Sequence, residues 1–196
     1  MLSRPPNKKE DPRVTRTRNL ILNAFAELLP QQGFHALTVQ NIAEKAGVNR
    51  ATFYAHFPDK YALLDSRVQQ KFRQEIEKRT LNACHYSEGN LRALIATVCE
   101  FVARMNAHCK NAENQFESLI ETQIRQQVQE LLEFWLEQIG SEIDSHTAAT
   151  AASWALYGLA LQWSREKNRL LAEEYADQVL PLVASNLCLT REGVLS

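Results

Sequence analysis

Between Leu37 and Lys60 the chain sets three helix boundaries within 24 residues, a spacing that few folds can satisfy. Thr38 is a good N-cap. Val39, Ile42, Ala43 and Ala46 follow it at helical spacing, which predicts a first helix of about two turns. Gly47 should stop that helix, because glycine tolerates the left-handed backbone of a helix end and sharp turn. Asn49 can then cap a second helix from Arg50 to about His56. Pro58 disfavours helix in the residue before it, and Asp59 caps a long third helix beginning at Lys60.

Two short helices around a tight turn have the layout of a DNA-reading helix-turn-helix. On the second, Phe53 and Phe57 lie four residues apart and can pack inward with Val48, which leaves Arg50, Ala51, Thr52 and Tyr54 nearer the outside. A guanidinium beside methyl groups on the first turn of a helix suits a major groove: the guanidinium pairs with guanine O6 and N7, and the methyls meet thymine.

The segment resembles the N-terminal DNA-binding domain of TetR/AcrR-type bacterial transcriptional regulators. The likeness begins at Arg16-Thr-Arg18, continues through Ile21, Ala24, Phe25 and Gly33-Phe34, and is densest from Leu37 to Leu64. There it includes Ala46-Gly47-Val48, Thr52-Phe53-Tyr54, His56-Phe57 and Lys60. The resemblance implies that Gln40, Arg50, Ala51 and Thr52 face base edges, and that Thr38, Tyr54, His56 and Lys60 hold phosphates. A hydroxyl, a phenol, an imidazole and an ammonium near a helix N-terminus are suitable donors to phosphate oxygen. Plainer readings stand beside these: Tyr54 as half-buried core, His56 as a solvated helix end, Lys60 as a surface lysine.

Charge divides along the chain. Residues 1–80 carry 14 Lys or Arg against 8 Asp or Glu, a net of +6, whereas residues 81–196 carry 8 against 15, a net of −7. A basic front part fits attraction to phosphates, and an acidic rear part resists nonspecific wrapping around DNA. The expected organisation is a flexible basic arm over 1–11, a helix-turn-helix domain over 12–65 and a helical effector-binding and dimerisation domain over 66–196. Arg4, Lys8, Lys9 and Arg13 read equally as phosphate contacts or as a solubilising tail. Asp11-Pro12 opens a helix to about Gln32. No stretch of 18 apolar residues exists and the N-terminus lacks the apolar segment of a signal peptide, so a cytoplasmic protein with no membrane partner is expected.

Cys84, Cys99, Cys109 and Cys188 form no C-x-x-C pair and read as reduced apolar side chains. The pairs Cys84-His85 and His108-Cys109 raise a metal or redox idea, but adjacent ligands diverge on a helix and the spacing fits no structural zinc pattern. No metal and no cofactor are expected.

Beyond Lys60 the pattern stays helical, with no alternating strand-like segments, and predicts an all-α fold of about nine helices. A helix from Lys60 to about Ala83 leads into one opened by Ser87-Glu-Gly-Asn90, whose Leu91, Leu94, Ile95, Val98, Phe101, Val102 and Met105 are buried on more than one side. By resemblance this is a central helix lining a ligand cavity. Asn111 to Gly140 reads as a short and a long helix with a break near Glu121. Thr147 to about Arg165 mixes small residues with large ones, and Ala172 to Cys188 is amphipathic with a kink or break expected at Pro181. Phe101, Met105, Phe116, Trp135, Trp154, Tyr157 and Trp163 are the residues that line a pocket or, equally in chemistry, fill plain core. The resemblance implies that the last two helices pair with their symmetry mates, with Ala151, Ala155, Gly158, Val179, Leu182 and Val183 at the seam. Packing within the subunit is the alternative.

The expected function is a DNA-binding transcriptional regulator. It would be a ligand-responsive homodimeric repressor on a palindromic operator, released by an unidentified small-molecule effector. A DNA-binding chromosome-organising or partner-binding protein without a sensor is the alternative. No G-x-S-x-G, phosphate loop or H-E-x-x-H occurs, so no enzyme is expected.

Overall fold

The computed structural model describes residues 11–79, 85–108 and 114–189, with the side chains of residues 107–108 and 114–117 outside that description. The arm over residues 1–10, and Cys84 and Cys109, lie outside it as well. Eight helices are present among the described residues, and the chain divides into two compact units, residues 1–68 and 69–196.

The first unit opens with α1 (Pro12–Ala36), capped by the Asp11 carboxylate, which accepts the Arg13 N–H at 2.9 Å. Regular helix ends where Gly33 takes φ +73°, close to the stop expected near Gln32. The next helix, α2 (Val39–Ala46), is held at its start by a reciprocal box: the Thr38 hydroxyl accepts the Asn41 N–H at 3.1 Å, and Asn41 Oδ1 accepts the Thr38 N–H at 3.2 Å. At its end Gly47 sits at φ +69° and passes its N–H back to Glu44, while Val48 bonds the Ala43 carbonyl at 3.0 Å. Asn49 then caps α3 (Arg50–His56) by accepting the Thr52 N–H at 2.7 Å. Asp59 does the same for α4 (Lys60–Arg79) through Ala62 at 2.8 Å. Ile21, Phe25, Ile42, Phe53 and Leu63 are fully buried and form the core on which the short helices rest.

Two cations brace this unit from inside. Lys60 Nζ donates to the carbonyls of Phe34, His35 and Leu37 at 3.1, 3.2 and 3.0 Å and lies 4.7 Å from the centre of the Phe34 ring. An ammonium has three hydrogens, and all three are committed to the end of α1 and the residue that follows it. Arg18 lies 4.4 Å over the Phe57 ring, donates to Ser66 Oγ at 3.0 Å and reaches the His56 carbonyl at 3.4 Å, joining α1, α3 and α4.

In the second unit, the Ser87 hydroxyl accepts the Asn90 N–H at 3.0 Å at the start of α5 (Glu88–His108). This helix buries Leu91, Leu94, Ile95, Val98, Cys99, Phe101 and Val102, the all-round pattern of a central helix. The following α6 (Asn114–Ile139) is continuous, so the break expected near Glu121 does not occur. No Gly or Pro interrupts it, and Glu121 and Arg125 bridge the supposed break as an i,i+4 ion pair at 3.3 Å. The next helix, α7 (Ser145–Arg165), starts two residues before Thr147 because Asp144 accepts both the backbone N–H and the hydroxyl of Thr147 at 2.9 Å. Those bonds, the backbone one first, hold the Asp144 carboxyl below the usual range. Pro181 does not break α8 (Ala172–Ser185), which runs through it for another turn. The α7 helix packs against α5, α6 and α8, and α5 also packs against α8. An antiparallel bridge between Ser141 and Leu189 ties the α6–α7 connection to the chain after α8.

Two substitutions test this account of the first unit. A Cβ at Gly47 meets nothing within 4 Å, so Gly47→Ala bears only the left-handed backbone cost, about 1–2 kcal/mol by urea denaturation of the full chain. Lys60→Met keeps the apolar stem but leaves three carbonyls without their charged donor; a loss of about 1.5–3 kcal/mol is expected in the same measurement.

Candidate nucleic-acid interface

The geometry of α3 follows from its burial. Phe53 is fully buried and Phe57, just past the helix, nearly so, their ring centres 6.0 Å apart. That anchors one side of a seven-residue helix and turns Arg50, Ala51 and Tyr54 to solvent, with Thr52 half-buried. Arg50 and Tyr54 lie one turn apart, the guanidinium 5.9 Å from the ring centre, so the phenol pre-orients the cation without neutralising it. Tyr54 itself is 47% exposed and meets Phe53 edge to face, which removes its reading as core.

The α2 residues have prior commitments. Gln40 is exposed, and its amide donates to Glu44 at 2.9 Å on the same helix, a bond that base contact would exchange. The Thr38 hydroxyl donates to Asn41 Oδ1 at 2.6 Å, so in the free protein its hydrogen serves the cap. The backbone N–H groups of Val39 and Gln40 occupy the first turn of α2, where helical geometry supplies no acceptor, and they are the donors a phosphate would meet there. His56 is half-buried, and its carbonyl accepts from Arg18. Lys60 departs from the phosphate role expected of it, because its ammonium is held by three carbonyls. Arg13 is exposed on the first turn of α1.

Sequence reasoning missed Arg18 as a brace and Asn41 as the reciprocal cap. Asn at the third helical position after Thr38 is a readable signal, since it substitutes for the Glu or Gln of a capping box.

In the second unit a cavity of about 60 Å³ is lined by Val102, Met105 and Asn106 of α5, Ile120 and Glu121 of α6, and Tyr157, Leu161 and Arg165 of α7. Of the residues expected in a pocket, Met105 and Tyr157 line it. Phe101 instead packs edge to face on Phe72 at 5.0 Å, and Trp135 is fully buried beside Tyr86. Trp163 is core, its Nε1 donating to the Leu170 carbonyl at 3.1 Å. Trp154 is 50% exposed, with the Arg125 guanidinium 3.5 Å above its ring. The side chain of Phe116 lies outside the described residues.

The face expected for self-association also divides. Ala151, Gly158 and Leu182 are exposed and Ala155 half-buried, whereas Val179 and Val183 are buried inside the subunit and leave that set. Their positions on α8 point the same way as Tyr175 and Ala176, one face of the helix, so the helix spends them on its own core.

Burial pushes the Cys99 thiol up to about 12, which keeps it a neutral apolar group. Among the described residues no group of three or more His, Cys, Asp or Glu is placed to hold a metal ion, and no helix is long and apolar enough to cross a membrane.

Comparison with known proteins addresses mainly the first unit. Residues 21–66 match the model of the bacterial regulatory proteins of the tetR family. An uncharacterized HTH-type transcriptional regulator of Bacillus subtilis, YxbF, is 34% identical over 79 residues, 40% of this chain and 21% of that protein. The HTH-type transcriptional regulator UidR of Escherichia coli K12 is 33% identical over 78 residues, 36% of this chain and 39% of that one. The matched part thus spans between about a fifth and two fifths of these relatives. Among solved structures, Thermus thermophilus FadR, a TetR-family transcriptional repressor in complex with lauroyl-CoA, superposes with a TM-score of 0.59 at 23% identity, covering 89% of this chain and 96% of that one. At that identity the likeness concerns the fold. Residues 21–66, which contain all of α2 and α3 with their caps, are thus a segment of the kind found in the tetR family of bacterial regulatory proteins.

Proposed function

We propose that the chain is a homodimeric transcriptional repressor that reads a palindromic DNA operator through α3 and leaves it when a small molecule occupies the second unit. The observation that carries this reading is the split of α3: Phe53 is anchored in the core while Arg50, Ala51 and Tyr54 stand exposed on a capped helix of the right size for a major groove. Arg50, Ala51, Thr52 and Gln40 take the base-reading role. Tyr54, His56 and the first turn of α2 at Thr38 take the phosphate role, and Lys60 supports them from inside the domain.

One such domain buries too little DNA surface for adequate specificity, and two copies on half-sites about 34–36 Å apart supply it. The seam we assign is Ala151, Ala155 and Gly158 of α7 with Trp154 and Leu182, an outward face of small residues flanked by large apolar ones. Effector release works by population shift: a ligand that prefers the state with mismatched recognition helices lowers operator affinity, and a coupling of about 1–3 kcal/mol changes it roughly 5- to 150-fold. The complex of Thermus FadR with lauroyl-CoA supports a ligand-bearing second unit in a chain of this fold. The same reading places the protein in the cytoplasm with its DNA and requires no catalysis.

Selection of duplexes from a random pool should return a palindrome. Arg50→Ala should then weaken the selected duplex by about 1–3 kcal/mol and relax the preference at one position in each half-site, measured by fluorescence anisotropy. Unchanged affinity and preference would remove α3 from the reading role. A Cβ at Gly158 would meet nothing within 4 Å, so Gly158→Glu leaves the subunit intact; sedimentation should show monomers and the palindrome should bind with single-site affinity.

A further inference from the structure

The cavity between α5, α6 and α7 has a readable charge. Its walls carry two charged side chains, of opposite sign, Glu121 and Arg165. Glu121 is already neutralised by Arg125, whose Nε lies 3.3 Å from its Oε1. Arg165, the exposed last residue of α7, has no hydrogen bond or ion pair among the described residues, so its guanidinium can exchange water for an anion without giving up a protein partner. It complements the negative end of its helix, but that does not use the fork of the guanidinium. Of the uncharged polar groups, Tyr157 and Asn106, the amide is placed by its neighbours: Asn106 Nδ2 donates to Ser164 Oγ at 2.7 Å, and Ser164 Oγ donates to the Leu161 carbonyl at 2.7 Å. Val102, Met105, Ile120 and Leu161 supply the apolar remainder.

Resting on the reading of the second unit as an effector domain, we infer that this cavity takes a small carboxylate with a short apolar body, its carboxylate on Arg165 and its chain against Val102, Met105 and Ile120. The sign follows from the cation in the wall that lacks a partner among the described residues. A monoanion matches a single guanidinium, which can grip a carboxylate with two parallel hydrogen bonds, whereas a phosphate dianion would leave a charge without a partner. The size follows from the volume: about 60 Å³ is far below the roughly 300–1,000 Å³ of sites for drug-sized ligands, so a chain of a few carbons fits and a long acyl chain does not.

The test uses the full chain and butyrate, with 1-butanol, butylamine and sodium chloride at matched concentration. Butyrate should raise the melting temperature in a saturable way, while the alcohol, the amine and the salt leave it unchanged. Arg165→Gln should weaken butyrate by roughly ten-fold or more in calorimetric titration, and Arg165→Lys should restore part of it. Met105→Trp fills the cavity while keeping the cation and should remove the response. No response to butyrate in the wild type, an equal response to butanol or butylamine, or undiminished binding in Arg165→Gln overturns the assignment. A titration of the selected duplex with and without butyrate separates the two readings. Butyrate binding that leaves duplex affinity unchanged keeps the ligand class and removes the effector role; a chain that prefers no duplex removes the regulator role alone.

Discussion

A helix of seven residues cannot persist by itself in water, and α3 does so because Phe53 is sealed into the core of the first unit and Asn49 holds its first turn. The surface proposed to meet DNA depends on that anchor. Phe53 and Phe57 decide which way the helix is rotated, and the rotation decides that Arg50 and Tyr54 share the outer strip. The same dependence applies to α2, eight residues long, which exists between a reciprocal Thr38–Asn41 box and a left-handed Gly47. Fixing both ends of each helix leaves little conformational entropy to lose on binding, which favours a rigid reading head over a segment that folds on its target.

The cations of the first unit divide by task. Arg50 is exposed and weakly held by a ring, so it is available to a base edge. Arg18 and Lys60 are turned inward, each against an aromatic ring and backbone carbonyls. Counting basic residues along the sequence therefore overstates the charge that this unit offers to phosphate. Lys60 still bears on the proposed interface, because the carbonyls it gathers at Phe34, His35 and Leu37 are the entry to Thr38 and hence to the first turn of α2.

Local features were legible in the sequence, and features set by distance were not. The caps at Asp11, Thr38, Asn49 and Asp59 and the turn at Gly47 act over two to four residues, so residue type and spacing sufficed. Lys60 and Arg18 bond groups 23 to 48 residues away, and nothing in their neighbours announces it. The same distinction explains Val179 and Val183. Helical periodicity marks them as apolar and on one face, but which partner covers that face is decided by α5 and α7, far away in sequence. The expected break near Glu121 rests on length alone, and the ion pair to Arg125 shows why length is a poor guide. Aromatic residues are the hardest case, since core and cavity ask for the same side chains; Trp135 and Phe101 went to core, and only packing separates them from Met105 and Tyr157.

The second unit places two tasks on one helix. Inward, α7 buries Ala148, Ala149, Ala152, Leu156 and Ala160 against its neighbours; outward it shows Ala151, Trp154 and Gly158; and toward its C-terminus Tyr157, Leu161 and Arg165 line the cavity. Arg125 adds a further link, because it neutralises Glu121 in the cavity wall while its guanidinium covers the exposed Trp154 ring. A ligand that moves α6 against α7 must therefore disturb either that stacked pair or the ion pair behind it, and Trp154 belongs to the proposed seam. Coupling between sites needs an element whose arrangement both sites bias. In the proposed dimer the shared helix and the Glu121–Arg125–Trp154 chain would serve as that element, with contiguous contacts from the cavity wall to the surface that a second subunit would cover.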